Sequence, residues 1–424
     1  MLNNFNWKNK FKFINIMKSI DRRKFFKYSA LASASIFIPD FLKLLQAKEI
    51  NGNSFPLSEA AGGKKLVIIQ LSGGNDGLNT VVPYNNDIYY ELRPGISIER
   101  SKVLRLSENA GLNPEMNKLK ELFDKGNLSV ISNVGYPNPD RSHFRSMDIW
   151  QSGSGSDEYL ETGWIGRYLD SECDGCSNPY NAIEVDPSLN LALKGKYKNG
   201  IALEDPKRFY MNTSERYFLE LSSESENFHE DNNVGYLYKT LAETTSSADY
   251  IYENSKIYKS KRDYPETQFG KNLKTIAEMI ISDTDTTVYY VSLTGFDTHV
   301  NQKSRQDRLL RELSEGMNSI TEDLRENGKL DETLIMTFSE FGRRVKQNAS
   351  GGTDHGTANN IFIINGNLKK PGLYNELADL KDLDSGDLKY EIDFRSVYST
   401  IMRKWLNADE TRIFGKSFEY LNFI

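Results

Sequence analysis

The chain reads as an α/β protein built on a mostly parallel sheet covered by helices on both faces. Three observations predict this: short β-branched apolar runs, amphipathic helical segments between them, and glycine-rich turns directly after the runs. A parallel strand is buried on both faces and so is apolar along its length, whereas a half-exposed strand alternates. At 424 residues the chain exceeds one ordinary core and suits a large α/β domain with insertions.

The first strand is KLVIIQL at 65–71, and it runs into the glycine-rich turn SGGNDGLN. Residues 114–125 set Met116, Leu119, Leu122 and Phe123 at helical spacing, and Gly126 ends that helix. LSVISNV (128–134) is the next strand, and VYYVSL (288–293), TLIMTF (333–338) and NIFIIN (360–365) are three more. A long amphipathic helix spans 303–326, with Leu309, Leu310, Leu313, Met317, Ile320 and Leu324 on one face. Residues 205–265 break the pattern with polar runs such as LSSESENFHEDNN, which predicts an insertion with helical pieces around 235–260. A last helix, FRSVYSTIMRKWL (394–406), packs back on the sheet.

Ahead of the first strand, DRRKFFK (21–27) and the mildly apolar YSALASASIFIPDFL resemble a twin-arginine export signal. Pro39 and Asp40 interrupt the run, which falls short of the roughly 20 apolar residues of a spanning helix. The other reading is a basic amphipathic start to a cytosolic domain. Export predicts residues 1–50 as signal and linker, 60–424 as one domain, and the export machinery as a partner. The product is then periplasmic or at the cell surface, with peripheral membrane anchoring if the signal stays attached. Cys173 and Cys176, the only cysteines, sit in CDGC and suit a local disulfide in an oxidising compartment rather than a framework. A net charge of −6 excludes a nucleic-acid binder with a broad basic face.

Sites of open α/β sheets lie beyond the carboxyl ends of the strands. Asp76 follows the first strand, and Arg141, Ser142, His143 and Arg145 follow the second, at a helix start. TGFDTH after 288–293 carries Asp297 and His299, and SEFGRR after 333–338 carries Glu340, Arg343 and Arg344. GGTDHG (351–356), before the last strand, carries Asp354 and His355. Three of the four histidines thus fall on strand-edge loops, and only His229 does not. Carboxylates with neutral imidazoles suit Zn²⁺ or Mn²⁺, and carboxylates alone suit Mg²⁺ or Ca²⁺. Ser142, at a helix N-terminus, is placed as a nucleophile that a metal would activate, with Arg141 or Arg145 as anion ligand. His143 or His299 is then acid/base. Structural readings stand beside these: Asp76 as turn chemistry, Asp140 and Ser142 as a helix start, Asp297 and His299 as a cap, Glu340 pairing with Arg343, and both arginines as a solvated helix end.

LSGGNDGLNTVVPY, LRP, GLNPEM, YPNPDRSHFRSMDIW, GFDTH, FSEFGRR with GGTDHG, and DFRSVYSTIMRKWL, in that order, together resemble the exported DUF1501 family, from about residue 64 to 408. That family is similar to a distant branch of the alkaline phosphatase and sulfatase superfamily. The resemblance implies an alkaline phosphatase-like three-layer sandwich with one or two divalent metals at the strand ends. It also implies a small anionic phosphate or sulfate ester, or a glycan, as substrate. By resemblance Asp76 matches the first-strand metal aspartate, Ser142 the nucleophile, and Asp354 with His355 the late metal pair. Asp297 and His299 match the intermediate pair, with one residue between them where the family pattern has three. No histidine follows His355 and no cysteine occupies the sulfatase nucleophile position. The implied site therefore holds one metal on Asp76, Asp354 and His355, with Ser142 and Asp297 nearby. A relative that kept the fold but acts as a binding or scaffold protein is the other reading.

Overall fold

The structure, a computed structural model, describes residues 63–172, 179–215 and 233–424. The export-like segment, Cys173, Cys176 and His229 lie outside the described residues.

All five apolar runs expected as strands are strands of one nine-stranded sheet. In chain order its strands are β1 (Lys65–Ser72), β2 (Leu128–Gly135), β3 (Ala182–Glu184), β4 (Ile201–Ala202) and β5 (Val288–Thr294). They continue with β6 (Thr333–Phe338), β7 (Asn359–Ile364), β8 (Gly372–Leu373) and β9 (Ile392–Asp393). The order across the sheet is β8-β2-β7-β6-β1-β5-β3-β4, with β9 also paired to β2. Central β1 lies between parallel β5 and β6, Ile68 standing opposite Tyr290 and Met336.

Successive side chains of a strand point to opposite faces, so β1 feeds two cores. Val67, Ile69 and Leu71 join one cluster, and Leu66 and Ile68 the other. The eight principal helices are α1 (Asn117–Asp124), α2 (His143–Ser152), α3 (Trp164–Glu172), α4 (Pro206–Thr213), α5 (Asn233–Asn254), α6 (Gln268–Ile281), α7 (Gln302–Glu326) and α8 (Phe394–Thr400). α1, α6 and α7 cover the first face, while α2, α3 and α8 cover the second, giving three layers. The six apolar residues read from the sequence of α7 are all buried, each contributing about 2 kcal/mol. The polar insertion is anchored to the same core through Phe209 of α4 and Ala248 and Ile251 of α5. The predicted last helix is α8 followed by a wider π turn over Ile401–Trp405.

β7 departs from the parallel expectation: it is antiparallel to both β2 and β6. A parallel return needs a crossover, usually helical, and residues 339–358 contain no helix. The chain instead turns back at the sheet edge. This places the loop before β7, with GGTDHG, at the same edge where β1, β5 and β6 end.

Candidate metal centre

Close backbone approach brings the edge loops together. Gly73 has φ +118°, and a Cβ there would fall 2.4 Å from the Asp297 amide nitrogen. A Cβ on Gly352 would fall 2.3 Å from the His299 carbonyl carbon. These two glycines let the loops after β1 and before β7 lie directly against the 295–300 loop. Buried Arg343 then ties all three. It donates to the carbonyls of Gly73, Gly74 (2.7 Å), Phe296 (3.0 Å) and Thr353 (3.0 Å), and to Asp297 Oδ1 (2.8 Å). The expectation that Arg343 ends a solvated helix and pairs with Glu340 is corrected. No helix forms there, and these acceptors account for its burial, since a buried guanidinium is tolerated only when its donors are used.

Within this frame three imidazoles converge on one carboxylate oxygen. The Nε2 atoms of His143, His299 and His355 lie 3.4, 3.1 and 3.4 Å from Asp297 Oδ1. His299 Nε2 is 2.9 Å from His355 Nε2. The opposite nitrogens face acceptors. His143 Nδ1 is 2.9 Å from buried Glu340 Oε1, His355 Nδ1 is 2.7 Å from the Arg141 carbonyl, and His299 Nδ1 is 3.4 Å from Asp354 Oδ1. A carbonyl or carboxylate only accepts, so the nearer partners assign the proton to Nδ1 in His143 and His355 and leave their Nε2 lone pairs facing inward, whereas His299 lies closer to a carboxylate through Nε2 than through Nδ1. His143 Nε2 is buried with no hydrogen-bond partner. Facing lone pairs call for a proton or a cation between them, and ligating histidines are commonly held by such outer acceptors. His143, Asp297 and His355 offer ligand atoms that all lie within 4.8 Å of one another, with His299 Nε2 against two of them. Imidazoles with a carboxylate fit a transition-metal dication better than Mg²⁺ or Ca²⁺, which prefer all-oxygen sets.

The electrostatics hold the carboxylate ionised and shift two of the imidazoles in opposite directions. Burial alone would raise Asp297, but the hydrogen bond and charge of Arg343, helped by His355 and His299, bring it down to about 2. His355 is pushed below its ordinary value chiefly by burial. His143 is raised chiefly by its hydrogen bond to Glu340. Asp354 is lowered, first by its bond from Asn348.

The expected site residues divide. His143, His299, Asp297 and His355 come together. Asp354, expected as a ligand, stands behind His299 as its outer acceptor, with its carboxylate largely exposed. Asp76, expected as a first-strand ligand, is fully buried in an ion pair with Arg93 (2.5 Å), and Gln302 Nε2 donates to the same oxygen. Gln302 Oε1 in turn accepts from Thr353 Oγ1 (2.5 Å), so Asp76 braces the loop that carries Asp354 and His355. The two arginines expected as an anion clamp are both engaged by protein oxygens. Arg141 pairs with Asp387. Arg145 donates to the carbonyls of Gly155, Ser156 and Glu158 and lies over the Tyr159 ring. Ser142 is the exposed N-cap residue of α2, and its side chain makes no capping bond. Glu340 is the residue that sequence reasoning undervalued: it accepts from Gly73 N (2.8 Å) as well as facing His143. Its only signal was a carboxylate directly after an apolar strand. Beside the cluster opens a cleft of about 450 Å³ lined by Ser72, Gly73, His143, Phe144, Met147, Asp148, Gly295, Asp297 and Glu340.

The model of a family described as "Protein of unknown function (DUF1501)" matches residues 132–417. No curated protein matches the chain. Solved structures with a similar fold include the lipoteichoic acid synthase LtaP from Listeria monocytogenes, 9% identical over 76% of this chain and 73% of that one, TM-score 0.34. Another is the C-terminal periplasmic domain of EcEptC from Escherichia coli, 10% identical over 82% and 85%, TM-score 0.39. A third is the phosphonate monoester hydrolase SpPMH from Silicibacter pomeroyi, 8% identical over 84% and 78%, TM-score 0.38. Likeness at this level carries no information about chemistry.

Proposed function

We propose that this chain, which belongs to the DUF1501 family, is a metal-dependent hydrolase of phosphate or sulfate esters. The observation that carries the reading is the convergence of three inward-facing Nε2 atoms on Asp297 Oδ1 at 3.1–3.4 Å. His143, His299, His355 and Asp297 would hold the cation, and Glu340, the Arg141 carbonyl and Asp354 orient the rings. A bound dication would supply Lewis-acid activation of an oxygen nucleophile and charge for the ester oxygens. Ser142, next to His143 and free of a capping bond, is the candidate side-chain nucleophile. The adjoining cleft is within the size range of small-molecule sites. The ester class rests on the sequence resemblance. Export by the twin-arginine route, to the periplasm or cell surface, rests on DRRKFFK.

The engagement of Arg141 and Arg145 by protein oxygens favours a second reading, a binding or scaffold protein that keeps one metal. Metal content of the purified chain, wild type beside a His143→Ala, His355→Ala variant, separates the outcomes. Stoichiometric metal lost in a folded variant, with turnover of p-nitrophenyl phosphate or sulfate by the wild type, supports the hydrolase. Metal without turnover supports the second reading. No metal in a metal-replete wild type refutes both. Turnover that survives Ser142→Ala removes the serine and leaves water as nucleophile.

A further inference from the structure

The cleft beside the cluster has a charge pattern that an anion clamp would not give. Its lining carries Asp148, Asp297 and Glu340, and no lysine or arginine lines it among the described residues. Two of these carboxylates are already engaged, Asp297 by Arg343 and Glu340 by Gly73 N–H and His143. Asp148 is exposed and has no ion pair or hydrogen bond among the described residues. One helical turn before it, on the same face of α2, Phe144 holds its ring 87% exposed at the cleft. The face of an exposed phenyl ring attracts a cation. A ring face and a free carboxylate one turn apart, with Met147 between them, form the two complementary walls of a subsite for a small organic cation.

We infer that Phe144 and Asp148 form an ammonium-binding subsite, so that the substrate is a zwitterionic ester. Its anionic group faces the cluster of His143, His299, His355 and Asp297, and its ammonium group lies against α2. The inference rests on the proposed hydrolase for the reaction, but not for the binding of the cation. It also accounts for an ester hydrolase without an arginine clamp: charge complementarity is divided between the cluster and the helix.

The test is binding of choline against its uncharged carbon isostere, neohexyl alcohol. Both are titrated calorimetrically or by NMR into the full chain at low ionic strength, with and without added zinc. Choline is expected to bind several-fold more tightly. Asp148→Asn and Phe144→Leu are each expected to lower that preference about two- to fivefold, the range of exposed cation–π contacts. Leu keeps the apolar contact that both probes use and removes only the π face. Both positions are exposed, so folding is not at stake. Equal binding of the two probes overturns the subsite. A choline preference untouched by either substitution overturns it too, since the acidic surface at large would then be responsible. A chain that holds no metal yet shows the preference and loses it on Asp148→Asn upholds the subsite while refuting the hydrolase.

Discussion

Glu340→Gln removes one charge and exchanges one oxygen for an amide nitrogen behind the cluster. Glu340 is almost fully buried and accepts from Gly73 N at 2.8 Å and from His143 Nδ1 at 2.9 Å through the same oxygen. Because both bonds reach one oxygen, a glutamine oxygen in its place can keep them, with the NH₂ group turned to Ser339 Oγ, which lies 3.3 Å from the other glutamate oxygen. What is lost is the carboxylate behind His143 Nδ1, which makes the ring a stronger lone-pair donor to a cation through Nε2. Changing such an outer acceptor typically weakens metal affinity 10- to 100-fold, or about 1.4 to 2.7 kcal/mol. Competition of zinc between the protein and a chromophoric chelator measures this directly, with the melting temperature of the metal-free variant as control. Affinity unchanged within about twofold in a folded variant would refute the view that the Glu340 carboxylate strengthens His143 as a metal ligand.

Asp76→Asn should destabilise the fold by about 3 to 5 kcal/mol in urea unfolding, because it leaves Arg93 buried without a counter-charge. It should leave metal stoichiometry unchanged in the folded fraction, and metal lost before stability would return Asp76 to the ligand set. Gly352→Ala forces a Cβ to within 2.3 Å of the His299 carbonyl carbon. It should cost about 1 to 3 kcal/mol and reduce metal affinity, whereas affinity equal to wild type would show that the loop yields freely. Burial holds the Glu184 carboxyl up at about 8 from an ordinary 4.5. The folded state therefore binds the extra proton between those values, and its stabilising effect is full below 4.5 and is lost as pH rises through about 8. Unfolding free energy should fall by at most about 1.4 kcal/mol per pH unit in that window, and Glu184→Gln should flatten the slope. A slope that Glu184→Gln leaves intact would assign it to another group.

The sequence located the four converging side chains on strand-edge loops, but it assigned them by motif rather than by contact. His355 and Asp297 were read as ligands, and His143 and His299 as catalytic groups, because Asp-His and a helix-start histidine were the legible signals. That all four meet depends on β7 running antiparallel, which carries GGTDHG back to the edge where β1 and β5 end. The partners of Asp76 and Arg145, a buried arginine and backbone carbonyls, were not legible for one reason. A charged side chain after a strand or in a first helical turn has the same local signature whether it meets a metal, an anion, a buried arginine or a carbonyl.

Local chemistry in the sequence determined the strands, the long amphipathic helices, the two-faced sheet and the loops that hold chemistry. Periodicity and turn residues act between near neighbours, and they survive being read in one dimension. The tertiary structure alone decided which loop residues touch. Glu340 behind His143, Arg343 across three loops, and Gln302 between Asp76 and Thr353 are contacts between residues 10 to 270 positions apart. Hydrogen bonds and ion pairs form over about 3 Å of space irrespective of chain separation, so only the folded backbone could select them.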